Sequence, residues 1–294
     1  MSEAHPDHRL NLSAGLASVS VAGVLVALKL WALIATGALS IAASLADSAM
    51  DLLISAAGLG AIIYAARPAD EDHAFGHSSV EDLASLGQAV FVAGSGLAIL
   101  WAAVLRLTGD AAPELAEEQT GIWVMAVSAT ITLALVGWQA RVARRTGNKV
   151  VAADMLHYVG DLLPTLGAIL ALVLSARFGW GRVDSVIAIV AALVMLRGAM
   201  RIGVAGWHAL MDRQASPEVI ESLTEIAQIW PGVRGFHDLK TRTAGARLFV
   251  QLHIELDGAQ SLEAAHDIAA SLKRAILEAH PNADVIIHMD VAQG

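Results

Sequence analysis

The chain has 294 residues, of which 56% are hydrophobic and 16% are charged, and its mean hydropathy is +0.59. This composition is too apolar for an ordinary soluble domain, and the lack of cysteine excludes disulfides, thiolate metal sites and iron–sulfur clusters. The net charge of -9 argues against a nucleic-acid partner, which requires a basic surface. A membrane protein is therefore predicted.

Six apolar stretches follow one another along the chain. Each is about 20 residues or longer, the length that a helix needs to cross the hydrocarbon of a bilayer. The predicted spans are Ser13–Thr36, Leu39–Ala66, Leu83–Leu107, Gly121–Ala140, Val150–Ala176 and Val183–Trp207. The sequence thus predicts an N-terminal tail over 1–12, a six-helix transmembrane domain over 13–211 and a polar C-terminal domain over 212–294.

The basic residues of the connections predict the orientation in the membrane. The connection between the fourth and fifth spans is basic, and contains Arg141, Arg144, Arg145 and Lys149. The connection between the first two spans carries no charge, and positive charge marks cytoplasmic loops. Since the number of spans is even, both termini are expected in the cytoplasm.

The C-terminal domain is predicted to have an α-β-β-α-β order. Ser216 and Pro217 open a helix, because serine is a favoured N-cap and proline a favoured first helical residue. Alternating apolar and polar residues predict a strand over Arg247–Leu256, which is followed by a helix over Ser261–His280 and a strand over Asp284–Asp290. This order indicates a small α+β sheet with helices on one face.

Four ionisable residues interrupt two predicted spans. Asp47 and Asp51 lie four residues apart in the second span, and His157 and Asp161 have the same spacing in the fifth, so each pair shares a helix face. A charge near the bilayer centre costs about 2.5–3.5 kcal/mol on insertion scales, and a divalent cation would compensate three such carboxylates. With the imidazole they can form a tetrahedral Zn²⁺-like site. Helix-end carboxylates and a core histidine without metal are the alternative.

A second group of potential ligands lies in the loop after the second span. Asp70, His73 and His77 are spaced so that a turn could close them on one ion. Polar loops often carry such residues, so a solvated acidic loop is an equally good interpretation of the spacing alone.

The third group lies in the C-terminal domain. His253 is on the polar face of its strand, and His288 and Asp290 share one face of the last strand. His237 and His266 could join them from a neighbouring strand and helix. Surface histidines without metal remain the alternative, because spacing alone does not establish convergence.

Other chemistries lack their sequence signatures. The chain has no metalloprotease helix of the His-Glu-x-x-His type, no phosphate-binding loop, no nucleophile elbow and no dinucleotide fingerprint. An enzyme is therefore not predicted. Lys29, alone near the edge of the first span, is interpreted as a residue whose ammonium snorkels to the interface.

Taken together, these motifs resemble the cation diffusion facilitators (CDF), especially the bacterial zinc and ferrous-iron efflux members. The resemblance covers nearly the whole chain. It rests on the Asp-x-x-x-Asp and His-x-x-x-Asp spans, on the loop 70–77, and on the strings His237-Asp238-Leu239 and Ile286-Ile287-His288-Met289-Asp290.

The resemblance implies six transmembrane helices followed by a cytosolic, ferredoxin-like (metallochaperone-like) α+β domain. It implies a homodimeric, proton-coupled antiporter in a bacterial inner (plasma) membrane that exports Zn²⁺, or alternatively Cd²⁺ or Fe²⁺, by alternating access. The implied transport site is Asp47, Asp51, His157 and Asp161, and the implied loop site is Asp70, His73 and His77. An implied two-metal site, which holds structural zinc and stabilises the tail dimer, consists of His237, His253, His266, His288 and Asp290.

One position departs from the family pattern. Relatives usually follow the last loop histidine with Gly-Lys, and this lysine pairs with an aspartate at the end of the sixth span to lock the dimer. Here Ser78 and Ser79 follow His77, although Asp212 is in place. The dimer is therefore expected to rest on the tail and on apolar packing.

Two other functions compete with transport. A membrane-anchored metal sensor or scaffold would use the spans only as an anchor, and an anchor does not need three carboxylates on two helices. An intramembrane hydrolase would need an open coordination position for water, which four protein ligands do not leave.

Overall fold

A computed structural model describes residues 6–36, 39–108, 119–162 and 183–292. The chain divides into two compact units, Met1–Trp207 and His208–Gly294. The described part of the first unit is helical, whereas the described part of the second combines a sheet with helices.

The helices of the first unit follow the predicted spans. They are α1 Pro6–Thr36, α2 Leu39–Ala65, α3 Ser79–Thr108, α4 Gln119–Thr146, α5 over 149–162 and α6 Val183–Leu210. Among the described residues, the stretches long and apolar enough to cross a membrane are Asp7–Ile34, Ser48–Ala65, Ser79–Leu105, Ala126–Thr146 and Ala188–Leu210. The prediction of a helical membrane region is confirmed, while residues 163–176 of the predicted fifth span lie outside the described residues.

Helix α1 begins earlier than the hydropathy predicts. The described helix already includes Pro6, seven residues before Ser13, and a proline fits the first turn because the N–H that it lacks has no intrahelical partner there. Asp7 in the first turn also interacts favourably with the helix dipole. Hydropathy reports where a helix is apolar, and not where its hydrogen bonding begins.

Close helix packing positions the residues of the first unit. Helix α1 packs against α2 and α4, and α2 also packs against α3. Gly198 of α6 faces Leu156 of α5, and a Cβ atom at this glycine would lie 2.7 Å from the leucine Cδ2. A larger residue at this position would require the Leu156 side chain to move, so the glycine favours the close approach of α6 to α5 beside His157.

The second unit has the predicted α-β-β-α-β order. Its elements are α7 Pro217–Gln228, β1 Gly235–Ala244, β2 Arg247–Leu256, α8 Leu262–Ala279 and β3 Ala283–Val291. Strand β2 is central, antiparallel to β1 and parallel to β3, and α8 makes the crossover. The core contains Leu223 of α7, Val250 and Ile254 of β2, and Leu272 and Ile276 of α8.

Candidate metal sites

Helices α2 and α5 bring together the first cluster of potential ligands. Asp51 Oδ1 lies 2.9 Å from His157 Nε2, and Asp161 Oδ2 lies 3.9 Å from the same nitrogen. One ligand atom from each residue lies within 4.8 Å of the other two. Ligands of one tetrahedral Zn²⁺ ion lie about 2.0–2.2 Å from the metal and hence about 3.3–3.6 Å from one another. Small side-chain adjustments would bring these three atoms onto one ion.

Burial differs sharply across this cluster. The side chain of His157 is 6% exposed and that of Asp51 is 15% exposed, whereas that of Asp161 is 47% exposed. Phe91 packs edge-on against the imidazole, with ring centroids 5.6 Å apart. The imidazole is therefore fixed by packing, and the cluster is accessible from the side of Asp161.

Asp47 is the fourth predicted ligand of this cluster. It lies on α2, four residues before Asp51, so the two residues share a helix face. The placement of its side chain lies outside the described residues. The structure thus brings together three of the four predicted residues, and the fourth stays a prediction.

A cavity of about 110 Å³ adjoins the cluster. Besides Asp51 and Asp161, it is lined by Leu25, Lys29, Ser48, Ser128, Ala129, Thr132, Tyr158 and Leu162. The Lys29 ammonium donates to Ser48 Oγ at 2.6 Å inside this group. The interpretation of Lys29 as snorkelling to the interface is therefore wrong, because its position one turn after Leu25 points it into the bundle.

The helices close together on the other side of the cluster. The cavity there has a volume of only about 10 Å³, and is lined by Ala14, Gly15, Ser55, Gly58, Leu59, Ile62, Gln139, Val150, Val151 and Asp154. These residues lie toward the end of the bundle where α1 and α5 begin and α2 and α4 end, which carries the basic connection. The larger cavity lies toward the opposite end. The cluster thus lies between the larger cavity and a tightly packed side, which is called the closed side below.

The predicted loop residues form a second cluster. Asp70 Oδ1 lies 3.2 Å from His73 Nδ1, and Asp70 Oδ2 lies 3.2 Å from His77 Nε2. Their ligand atoms are within 4.8 Å of one another. The backbone amide of His73 donates to Asp70 at 2.7 Å and is the main cause of a lowered pKa of this carboxyl group. The carboxylate is therefore ionised, as a metal ligand must be, well below neutral pH.

The sheet of the second unit forms a third cluster. His237, His253 and His288 lie side by side on β1, β2 and β3, since they are register partners across the sheet. Asp290 Oδ2 lies 2.9 Å from His253 Nδ1 and 3.5 Å from His237 Nε2, and its Oδ1 lies 3.3 Å from His288 Nε2. Histidine and carboxylate ligands in this combination fit a zinc ion.

A bulge in β1 places His237 in this cluster. The register shifts by one residue between His237 and Lys240, and Asp238 within the bulge has a φ of 51°. Glu255 Oε1 also lies 3.2 Å from His237 Nδ1 and was missed by the sequence analysis. Its position two residues after His253 on the polar face of the strand is the signal that could have identified it.

His266 stands apart from the other predicted ligands of the C-terminal domain. It lies on α8, whereas the ligand atoms that converge come from His237, His253 and Asp290 on the strands. The single chain therefore brings together four of the five predicted residues, and His266 lies outside this group. His288 is counted because it contacts Asp290.

Asp290 is stabilised in its ionised form. The hydrogen bond from His253 is the largest cause of a pKa below the ordinary value of 3.8. A lowered pKa means that this carboxylate contributes stability fully above the ordinary value, and that the contribution is lost as the pH falls through the lowered pKa. The Asp290 carboxylate is therefore ionised at neutral pH, as a metal ligand must be.

Asp212, the counterpart of the aspartate in the dimer lock that the resemblance implies, has a partner within its own unit. Its Oδ1 accepts a hydrogen bond from Arg242 Nη1 at 3.3 Å.

The charge of the basic connection in the helical unit is partly neutralised, since Lys149 Nζ lies 2.6 Å from Asp82 Oδ1.

Comparison with known proteins identifies the family. The cation efflux transmembrane domain matches residues 15–213, and the cytoplasmic domain of cation efflux proteins matches residues 215–292. The cation-efflux pump FieF of Klebsiella pneumoniae subsp. pneumoniae is 38% identical over 283 residues, which cover 96% of this chain and 93% of that pump. FieF of Pectobacterium carotovorum subsp. carotovorum is 39% identical with the same coverage.

A solved structure of the metal-bound C-terminal domain of the CzcD transporter from Thermotoga maritima is 24% identical. The alignment covers 25% of this chain and 87% of that domain, with a TM-score of 0.25. The family match spans both units of the chain, and it confirms the prediction of a membrane transporter rather than an enzyme. The chain belongs to the cation diffusion facilitator family and is a cation efflux transporter.

Proposed function

We propose that this transporter exports a Zn²⁺-like divalent cation from the cytoplasm in exchange for protons, through a site formed by Asp47, Asp51, His157 and Asp161. The observation that carries this proposal is the convergence of Asp51 and Asp161 on the buried imidazole of His157, beside a cavity in an apolar helical bundle. A divalent cation compensates the carboxylates of the site, whose placement in a membrane otherwise costs free energy.

The imidazole determines the class of cargo. Zn²⁺ accepts nitrogen and oxygen ligands in a tetrahedron, whereas Mg²⁺ and Ca²⁺ prefer larger shells of oxygen alone. Cd²⁺ and Fe²⁺ also accept imidazole and are alternative cargo. Zinc is the proposed substrate because four protein ligands complete its usual coordination.

The two cavities support alternating access. Positive charge is typical of cytoplasmic loops, so we assign the basic connection and both termini to the cytoplasm. With this assignment, the cavity of about 110 Å³ lies away from the cytoplasm and the cavity of about 10 Å³ lies on the cytoplasmic side. An opening at the basic end would admit the ion, and the wider cavity would lead it out on the other side.

Proton coupling follows from the chemistry of the ligands. An imidazole binds metal only in its neutral form and a carboxylate only in its ionised form. Protons and metal therefore compete for the same lone pairs on His157, Asp51 and Asp161. Protons that arrive from outside displace the ion there and are released when the next ion binds from the cytoplasm.

The loop and tail clusters are proposed as additional metal sites in a homodimer. The loop cluster offers three ligands, and the sheet cluster offers a set suited to structural zinc. The dimer rests on the tail domain and on apolar packing, because Ser79 has no amine to pair with Asp212 and that carboxylate already bonds Arg242.

Reconstitution in proteoliposomes that contain a zinc-sensitive dye tests this function. We expect Zn²⁺ flux to accelerate when a pH gradient is imposed in the exchange direction and to slow when a protonophore dissipates that gradient. Flux that does not respond to the gradient would exclude proton coupling. A chain that binds zinc in calorimetry but carries no flux would favour a sensor or scaffold instead.

A further inference from the structure

Asp154 is a buried carboxylate that the proposed transport site does not use. It is 5% exposed and lies on α5, three residues before His157. Its Oδ2 accepts hydrogen bonds from Ser18 Oγ and from Gln139 Nε2, each at 2.6 Å, and its Oδ1 accepts one from Ser55 Oγ at 3.2 Å. The three donors are neutral and come from α1, α4 and α2, so one carboxylate ties four helices together.

The position of this network is on the closed side of the transport site. Residues three apart on a helix differ by about 4.5 Å along its axis, so Asp154 lies about one turn closer to the basic end than His157. Asp154, Ser55 and Gln139 also line the cavity of about 10 Å³, which is too small for a hydrated ion. The network therefore closes the route between the basic end and the transport site.

Further buried polar atoms lie along the same route. Asn11, Gln88 and Gln139 are 5%, 8% and 1% exposed, and within the described part of the chain Asn11 Oδ1, both polar atoms of Gln88 and Gln139 Oε1 have no hydrogen-bond partner. Gln139 lines the small cavity, and Gln88 Nε2 would lie 2.9 Å from a Cβ atom at Gly58 in its wall. Buried polar atoms are normally paired, and leaving one without a hydrogen bond is unfavourable.

An opening between these helices would explain both features. Helix separation at the basic end would hydrate the amide groups and would free Asp154 from its neutral donors. The carboxylate would then be the first negative charge that a cation meets on this route. The geometry points to Asp154 as a relay ligand for the incoming divalent cation, with its bonds to Ser18, Ser55 and Gln139 acting as the latch that closes the cytoplasmic route.

This inference rests on the proposed direction of transport. It adds Asp154 and the path between the basic end of the bundle and the transport site. In the inward-open state Asp154 would hold the ion before it passes to His157, Asp51 and Asp161. In the outward-open state the latch would exclude the ion from return to the cytoplasm.

Thiol accessibility tests the path without reference to flux. The natural chain lacks cysteine, so a single introduced cysteine is the only thiol that the reagent can label. Ala14→Cys lies in the wall of the small cavity, and Ala89→Cys is a matched control that is also buried near the basic end but faces Gly203 of α6. During metal turnover we expect a hydrophilic methanethiosulfonate reagent on the basic side to label Ala14→Cys at least about 10-fold faster than Ala89→Cys, because labelling requires the open state.

Equal labelling of the two variants would overturn the path even if zinc flux of the unmodified chain is normal. Absence of flux in the unmodified chain would instead overturn the proposed function, so the two failures are distinguishable.

The role of Asp154 is tested by comparing Asp154→Asn with Ser18→Ala in the reconstituted full chain. Loss of the relay charge should raise the KM for Zn²⁺ supplied on the basic side by about 10-fold, as is typical for removal of an outer ligand, and should leave the maximal rate largely unchanged. Ser18→Ala weakens the latch but keeps the charge, so its KM should not rise.

A purely structural role of Asp154 predicts that both substitutions lower stability and maximal rate together. That result, or an unchanged KM in Asp154→Asn, would overturn the inference. If Asp154→Asn does not fold, Ser18→Ala in the Ala14→Cys chain tests the latch: labelling from the basic side should become faster, and an unchanged labelling rate would overturn the inference.

Discussion

The cluster in the helical bundle and the cluster on the C-terminal sheet use the same residue types but are supported differently. Asp51 and His157 come from two helices, and only side-chain contacts and helix packing hold them together. His237, His253 and His288 come from adjacent strands whose register is fixed by backbone hydrogen bonds. A relative shift of α2 and α5 would separate the first set, whereas the second set separates only if the sheet breaks.

This difference matches two different tasks. A transport site must bind an ion and then release it, so ligands on helices that can move independently suit it. A structural site must retain its ion, so ligands fixed by a sheet suit it. The contrast predicts that ligand substitutions in the bundle affect flux, whereas substitutions on the sheet affect bound metal and assembly.

The largest expected effect is that of Asp51→Asn, which removes the ligand closest to His157. Substitution of a residue that only supports a metal ligand commonly lowers metal affinity or activity by about 10-fold to 100-fold. Loss of a direct ligand should therefore reduce Zn²⁺ flux by more than about 100-fold. Flux into dye-loaded proteoliposomes measures it. Thr132→Val is the control, because Thr132 lines the same cavity without a ligand charge and its substitution should change flux little.

Folding and tail association should survive Asp51→Asn, since the substitution preserves side-chain size. Size-exclusion chromatography should therefore show the oligomer of the unmodified chain. Normal flux in this variant would remove Asp51 from the transport site and would end the contrast between the two clusters.

A smaller effect is expected from His157→Asp, which converts the proposed site into an all-oxygen one. Manganese prefers oxygen ligands and zinc accepts imidazole readily, so the ratio of Zn²⁺ flux to Mn²⁺ flux should fall by about 10-fold. Competition between the two ions in the vesicle assay measures this ratio. An unchanged ratio would show that the imidazole does not select the cargo.

Sequence analysis could predict features that follow from local periodicity. The strand Arg247–Leu256 has the predicted bounds, and the helix predicted over Ser261–His280 spans Leu262–Ala279 with these two residues as its caps. The convergence of Asp51 and Asp161 on His157 was also predicted, because ionisable residues in apolar spans need compensation.

Features that depend on helix rotation and sheet register could not be predicted. The Lys29 side chain is long enough either to reach the membrane interface or to turn into the bundle. Only the packing of α1 determines which of the two it does. The latch around Asp154 combines two serines and a glutamine that lie on three other helices and have no shared spacing. The bulge at Asp238 has no strong sequence signal, since this is a non-glycine residue with positive φ.

The next prediction concerns the sheet cluster. Asp290→Asn should weaken zinc binding at the tail, because this carboxylate contacts all three histidines, and it should leave Zn²⁺ flux per assembled dimer near that of the unmodified chain. Calorimetry of the full chain measures the ions bound, and zinc should raise the melting temperature of the variant less than that of the unmodified chain. Loss of flux without loss of bound zinc would contradict the division of tasks.

The smallest effect is expected from His266→Ala, which distinguishes a site completed within one chain from a site that needs two. His266 lies on α8, apart from the ligand atoms that converge on the strands. Removal of its imidazole should therefore preserve the zinc ion held by His237, His253 and Asp290, and should weaken only a second ion that depends on the dimer. Titration of the full chain should show one binding event unchanged and one shifted to lower affinity. If both events disappear, His266 belongs to the strand cluster, and the sheet alone does not preorganise that site.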